Sequence, residues 1–259
     1  MRVALGIEYA GQAFCGFQSQ PSGCGVQDAL EAALAAIAGH PVTAVAAGRT
    51  DAGVHAALQV VHFDTASERP VSAWVRGVNA HLPPAVAVLF AQPVAADFHA
   101  RFAARARHYT YLLLDRPERP GLRAGYVGWY HRPLDAAAMH TAAQSLLGTH
   151  DFTSFRAAQC QAKSPVKTMT AADVTRKGTL VRLDFTANAF LHHMIRNIVG
   201  TLVDVGAGRQ PITHLAALLA ARDRAQGAPT FAAAGLYFAG ADYDPRFGLP
   251  PTVRDVVPA

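Results

Sequence analysis

The stretch Ala47-Gly48-Arg49-Thr50-Asp51-Ala52-Gly53-Val54-His55-Ala56 lies between two apolar runs, Val42 to Ala46 and Leu58 to Phe63. Short apolar runs on either side of a polar segment with two glycines read as strand, loop, strand. Gly48 and Gly53 let the backbone turn sharply and come close to a bound group. Between them stand one cation, one hydroxyl and one carboxylate, Arg49, Thr50 and Asp51, with no second acid in the loop. That composition suits a single pre-positioned carboxylate beside an anion-binding guanidinium. A plain surface turn would also use Gly and Asp.

Working outward, Val3, Leu5, Ile7 and Tyr9 alternate with Arg2, Ala4, Gly6 and Glu8, the period of a half-buried strand. Val26, Ala29, Leu30, Ala33, Leu34 and Ile37 repeat at helical spacing, with Gly39 just past the end. After the Asp51 loop, a helix over 72–80 is stopped by Pro83 and Pro84, and 85–93 reads as a strand. The order is β-α-β-β-α-β. The second half repeats it: a strand over 108–114, a helix capped by Asp135 and a hairpin turning at Lys177-Gly178. An amphipathic helix over 191–203, another over 213–222 and a strand over 236–243 complete it. The expected fold is α+β: two ferredoxin-like domains with mainly antiparallel sheets, helices packed on one face and an active-site cleft between them. The boundary is placed near Ala104, giving domains 1–104 and 105–259. The Pro/Gly-rich segment 115–132 and the segment 159–165 read as loops.

The 259 residues, 51% hydrophobic and 16% charged, indicate a globular chain able to bury a large core. A net charge of +5 leans mildly towards polyanions. Cys15, Cys24 and Cys160 are odd in number and contain no C-x-x-C, so no disulfide framework is argued, which fits a reducing compartment. The first residues alternate like a strand rather than a signal peptide, and no apolar run reaches membrane-spanning length. A cytoplasmic location is expected, without membrane contact. No dinucleotide fingerprint, Walker loop or metal-ligand spacing occurs, so neither a metal nor a small-molecule cofactor is expected.

Phe98-His99-Ala100-Arg101-Phe102 leads into Arg105, Arg107, His108, Tyr109 and Tyr111. Cations interleaved with aromatic rings suit a nucleic acid, phosphates meeting the arginines and bases stacking on rings. An edge strand with aromatic packing would use the same residues. His192 and His193 are read as helix neighbours, about 100° apart, that do not converge on one ion. Arg196 sits at the margin of that helix's buried stripe, where it can snorkel to solvent or pair with a carboxylate in a cleft.

The run Gly48-Arg49-Thr50-Asp51-Ala52-Gly53-Val54-His55 resembles the catalytic-aspartate motif of the tRNA pseudouridine synthase A family. Arg107-His108-Tyr109-Thr110-Tyr111 resembles the family's Arg-x-Tyr-x-Tyr pattern, and Asp151 to Arg156 and Gly235-Leu236-Tyr237 also look like family segments. The resemblance implies an isomerase that converts uridine to pseudouridine at positions 38 to 40 of the tRNA anticodon stem-loop. It makes Asp51 the essential carboxylate, Tyr109 the ring stacked on the uracil and Arg196 the basic partner of Asp51. Arg49 would hold the strand vacated by the flipped base, and Arg101, Arg105 and Arg107 would meet tRNA phosphates. A homodimer is implied as well. Family members commonly carry Gly where this chain has Leu58, which bears on the loop exit. Two other readings compete: a non-catalytic RNA-binding protein with RRM-like sheets, by fold analogy, and a metal-dependent hydrolase using Asp51, His55 and His62.

Overall fold

The structure is a computed structural model and describes residues 1–256. Its contacts divide the chain into two compact units: Met1–Ala106 with the returning segment 237–256, and Arg107–Leu236.

The first unit runs β1 (Arg2–Tyr9), α1 (Val26–Ala38), β2 (Val45–Ala46), β3 (His55–Asp64), a wide helical turn at Ala73–Gly77 leading into α2 (Val78–His81), and β4 (Val86–Val94). This is the expected β-α-β-β-α-β order. β1 pairs antiparallel with both β3 and β4, and the short β2 lies along β3. Helix α1 stops where Gly39 adopts φ 75°, a left-handed cap that glycine enters without steric cost.

Two features of this unit differ from the sequence expectation. First, β1 is covered on both faces: Val3, Ala4, Leu5 and Ile7 all have 0% exposure. The face expected to meet solvent lies in a core of Ala4, Val60, Phe98, Ala100 and Phe247, joined by Tyr243. That is why its residues there, Ala4 and Gly6, are small. Second, β3 begins at His55 rather than Leu58.

The chain beyond Leu236 returns to this first unit, whereas the sequence reading placed all of 105–259 together. Strand β10 (Leu236–Asp242) pairs parallel with β3 through Tyr237 and Phe238. The Tyr243 hydroxyl donates to the Ala100 carbonyl at 2.6 Å, and Arg246 reaches Asp97 at 2.9 Å.

The second unit carries β5 (Ala106–Asp115), β6 (Gly128–Tyr130), α3 (Ala136–Ala143), β7 (Gly148–Asp151), β8 (Val166–Lys177), β9 (Leu180–Ala187), α4 (Met194–Gly206) and α5 (His214–Ala221). The antiparallel order is β5-β9-β8-β7, with β6 parallel to β5. The Asp135 side chain accepts the Ala138 N–H at 2.9 Å, the cap its position implies. Gly178, φ 61°, turns the β8–β9 hairpin. Buried Asp115 receives both Arg176 guanidinium nitrogens, at 3.0 and 2.6 Å, and the Leu134 N–H at 2.8 Å. Strands β6 and β7 fall where only loop and helix end were expected.

One further expectation is corrected. Cys15 and Cys24, 9 positions apart with Cα atoms 5.4 Å apart, are joined as a disulfide, and Cys160 is a free thiol. The segment between them folds back on itself, the Cys15 N–H reaching the Cys24 carbonyl at 2.9 Å, a proximity no C-x-x-C spacing announces. Among the described residues no helix is long and apolar enough to cross a membrane.

Candidate active site

In the first unit, the loop between β2 and β3 is fastened from three directions. Gln59, fully buried on β3, donates its amide N–H to the Gly48 carbonyl at 2.6 Å. The Tyr9 hydroxyl at the end of β1 shares a 2.8 Å hydrogen bond with the Thr50 hydroxyl, and both side chains are buried. The Phe17 N–H donates to the Thr50 carbonyl at 3.0 Å, and the Val54 N–H closes the turn on the Asp51 carbonyl at 3.1 Å. Gly16, φ 108°, lies so close that an added Cβ would sit 3.0 Å from the Thr50 carbonyl oxygen and 3.3 Å from the Asp51 carbonyl carbon. Burial pushes the Tyr9 hydroxyl up to about 12, and the Thr50 bond opposes this only in part. Tyr9 is therefore a neutral hydrogen-bonding post at physiological pH. Asp51 is half-buried and Arg49 exposed, both on this fixed turn.

Two histidines flank the loop in β3. His55 is buried, accepts the Gly11 N–H on Nδ1 at 3.2 Å and stacks on Tyr237 with ring centres 4.7 Å apart. His62 accepts the Ala100 N–H on Nδ1 at 3.1 Å. Burial, then the neighbouring His99 and Arg2, lower the His62 ring to about 4, so it is neutral at pH 7. Both rings serve as internal acceptors, which removes the basis for grouping them with Asp51 as hydrolase ligands. Leu58, at 3% exposure, is absorbed into the core, and the pairing of β3 with β1 shifts register at the loop exit, from Ile7 opposite Gln59 to Tyr9 opposite Ala56.

Arg101 and Arg105 belong to the same unit. The Arg101 guanidinium carbon lies 5.7 Å from the Phe102 ring centre, and Arg105 pairs with Asp244 at 2.5 Å.

In the second unit, Tyr109 and Arg107 lie on β5 opposite Phe185 and Ala187 of β9. The half-buried Tyr109 ring meets Phe190 edge to face at 5.0 Å. Arg107 donates to the Asn188 carbonyl at 2.7 Å. Arg196 lies in the first turn of α4; its Nε donates to the Phe231 carbonyl at 2.8 Å, and the Phe231 N–H returns to the Arg196 carbonyl at 3.2 Å. The Tyr111 hydroxyl donates to the Ala232 carbonyl at 2.8 Å, and burial raises its pKa, with Arg196 opposing. Arg196 is thus aimed by a backbone latch rather than left to snorkel. His192 and His193 are not helix neighbours as expected. His193 is the residue before α4 with φ 61°, and this left-handed step brings the two rings to 4.0 Å.

Comparison with known proteins completes the picture. The model of a family described as tRNA pseudouridine synthase matches residues 6–103 and 142–244. The chain belongs to this tRNA pseudouridine synthase family. It is 61% identical over 250 residues to the tRNA pseudouridine synthase A of Thiobacillus denitrificans, covering 96% of each chain. It is 62% identical to the one from Dechloromonas aromatica, over 96% of this chain and 95% of that one. The protein of that name from Chromobacterium violaceum is 59% identical over 251 residues, with 96% of each chain covered. Sequence reading missed the hydrogen bonds that clamp the Asp51 loop. Gln59, a polar residue inside the apolar run Leu58 to Phe63, was the signal that marks them.

Proposed function

We infer that this chain is a tRNA pseudouridine synthase that isomerises uridine to pseudouridine, with Asp51 as the carboxylate that starts the reaction. The bond between ribose C1′ and uracil N1 breaks, the base turns, and C5 takes its place on C1′. The C5 hydrogen leaves as a proton while N1 gains one, so atoms and electrons balance without a redox partner. Asp51 acts either as nucleophile or as base towards ribose. The observation that carries the reading is the fastening of Gly48, Thr50 and Asp51 by buried donors in a chain of this family. An immobile carboxylate is what such chemistry requires. The finer reading assigns positions 38 to 40 of the anticodon stem-loop as targets. Tyr109 stacks on the extruded uracil, Arg196 is the counter-ion of Asp51, and Arg49 holds the displaced strand. Arg101, Arg105 and Arg107 neutralise phosphates in a cytoplasmic homodimer.

The test is tritium release from [5-³H]uridine-labelled tRNA in the presence of EDTA. Wild type should release tritium, and Asp51→Asn should fall below about a hundredth of that rate while still binding tRNA. Binding without release by wild type would favour the RNA-binding alternative.

A further inference from the structure

Phe102 leaves 76% of its surface exposed, although Phe98, four residues earlier, is completely buried. Nothing about folding explains a bare ring there, yet the ring is held still. His99 stacks beneath it with centres 4.2 Å apart and planes 29° from parallel. His99 Nδ1 accepts the N–H groups of both Arg101 and Phe102 at 3.2 Å, and its carbonyl accepts the Ala103 N–H at 2.9 Å. Beneath His99 lies the buried His62 ring, at 4.8 Å. Burial, Arg2 and Arg101 lower the His99 pKa, so His99 and the tilted His62 ring beneath it are both neutral at pH 7.

The rim is basic. A groove of about 340 Å³ beside the ring is lined by Asp97, His99, Phe102, Arg105, Arg246 and Phe247. The two acids on this rim, Asp97 and Asp244, each pair with one arginine, Arg246 and Arg105. Arg101 stands beside the exposed face, its guanidinium carbon 5.7 Å from the ring centre.

We propose that Phe102, braced by His99, is a stacking platform for an unpaired RNA base other than the one being isomerised, with Arg101 meeting the adjoining phosphate. A flat, rigid, exposed ring next to a guanidinium is how proteins hold single-stranded bases without reading sequence. An apolar protein partner would not need the cations, and a rigid ring gives stacking at little entropic cost. The proposal rests on the reading of the chain as an enzyme of RNA.

The experiment compares Phe102→Ala, Phe102→Leu and Phe102→Trp with wild type, in titrations with tRNA and with a single-stranded oligouridylate. Because the side chain is exposed, all three variants should melt with wild type. Loss of one stacked base should weaken tRNA binding about five- to a hundredfold in the Ala and Leu variants, with the kinetic loss carried by KM. The Trp variant should bind as wild type, and its new indole emission should be quenched by either RNA. Wild-type affinity in the Ala and Leu variants, or unquenched emission in the Trp variant, overturns the platform. A changed mass by light scattering in the Ala variant, with RNA affinity intact, would assign the ring to a contact between copies and likewise overturn it. Tritium release by wild type, run in parallel, reports separately on the enzymatic reading. If release fails, the oligouridylate arm still decides the platform.

Discussion

Replacing Gln59 by Met should separate the rate of this enzyme from its stability. Gln59 is fully buried; its amide N–H holds the Gly48 carbonyl at 2.6 Å, while its amide oxygen has no hydrogen-bond partner among the described residues. Removing the bond costs about 0.5–1.5 kcal/mol net. Gly48 is half-exposed, so water can take over its carbonyl. Removing an orphaned buried oxygen returns about 1–3 kcal/mol, and Met has a similar length and fits irregular spaces. The two effects nearly cancel, with a small gain possible. At about 2–4 °C per kcal/mol for a chain of this size, the melting temperature should stay within about 4 °C of wild type or rise. The rate should not survive so well. Gly48 opens the turn that carries Asp51, and a displacement of about 1 Å at a reacting group can cost about a hundredfold. Single-turnover tritium release should therefore drop at least about tenfold, with tRNA affinity unchanged. A large fall in melting temperature with a proportionate loss of activity would make Gln59 an ordinary core residue. A wild-type rate would refute the clamp.

Other consequences concern His62, the cysteines and Arg196. The folded-state pKa of His62, about 4, lies below the ordinary 6.5. The unfolded chain therefore binds the extra proton first, and stability should fall as pH drops from about 6.5 to 4 and then level off. The loss is up to about 3 kcal/mol, and chemical denaturation across that range should show it flattened in His62→Gln. Alkylation under denaturing, non-reducing conditions should label Cys160 alone, and reduction should expose Cys15 and Cys24 and lower stability by about 2–3 kcal/mol; three labelled thiols without reductant would contradict the pairing. Arg196→Lys should keep partial activity and Arg196→Met almost none, because the planar fork can hold the Phe231 carbonyl through Nε while presenting its remaining nitrogens. Equal, near-silent effects in tritium release would return Arg196 to a solvent role.

Local pattern made much of the architecture legible. The helix cap at Asp135, the stop at Gly39 and the hairpin at Gly178 depend on adjacent residues only, and each stands where the sequence places it. What escaped was decided by distant partners. Strands β6 and β7 are three and four residues long and are strands only because β5 and β8 lie beside them. Gly128 belongs in β6 because an added Cβ would collide with the Tyr111 ring, a contact 17 positions away in the chain that no periodicity encodes. The double coverage of β1 and the return of segment 237–256 are one fact seen from two sides: Phe247 and Tyr243 arrive to cover Ala4. The residues of the proposed site, Asp51, Arg49, Tyr109 and Arg196, could be named from the sequence as types, but their hydrogen bonding and backbone conformation could not. That His193 takes a left-handed conformation, or that Phe231 latches Arg196, cannot be inferred from a helical pattern.

The mechanics explain an oddity of composition. Positions 9, 50 and 59 are buried, yet they hold Tyr, Thr and Gln, where Phe, Val and Met would fill similar space without buried polar atoms. Folding alone gains little from these choices; the Gln59 amide oxygen lacks a partner among the described residues, and buried polar atoms are normally satisfied. Their common property is where their hydrogen bonds go. Tyr9 fastens Thr50, Gln59 fastens Gly48, and the Phe17 N–H takes the Thr50 carbonyl. All of these contacts grip the residues before Asp51, and the Val54 N–H grips its carbonyl from the other side. The backbone beneath the carboxylate is thereby fixed, while the side chain itself stays half-exposed for substrate. Buried polarity that a packed core would discard is here concentrated under the Asp51 turn, which is the preorganisation that the proposed role of its carboxylate requires.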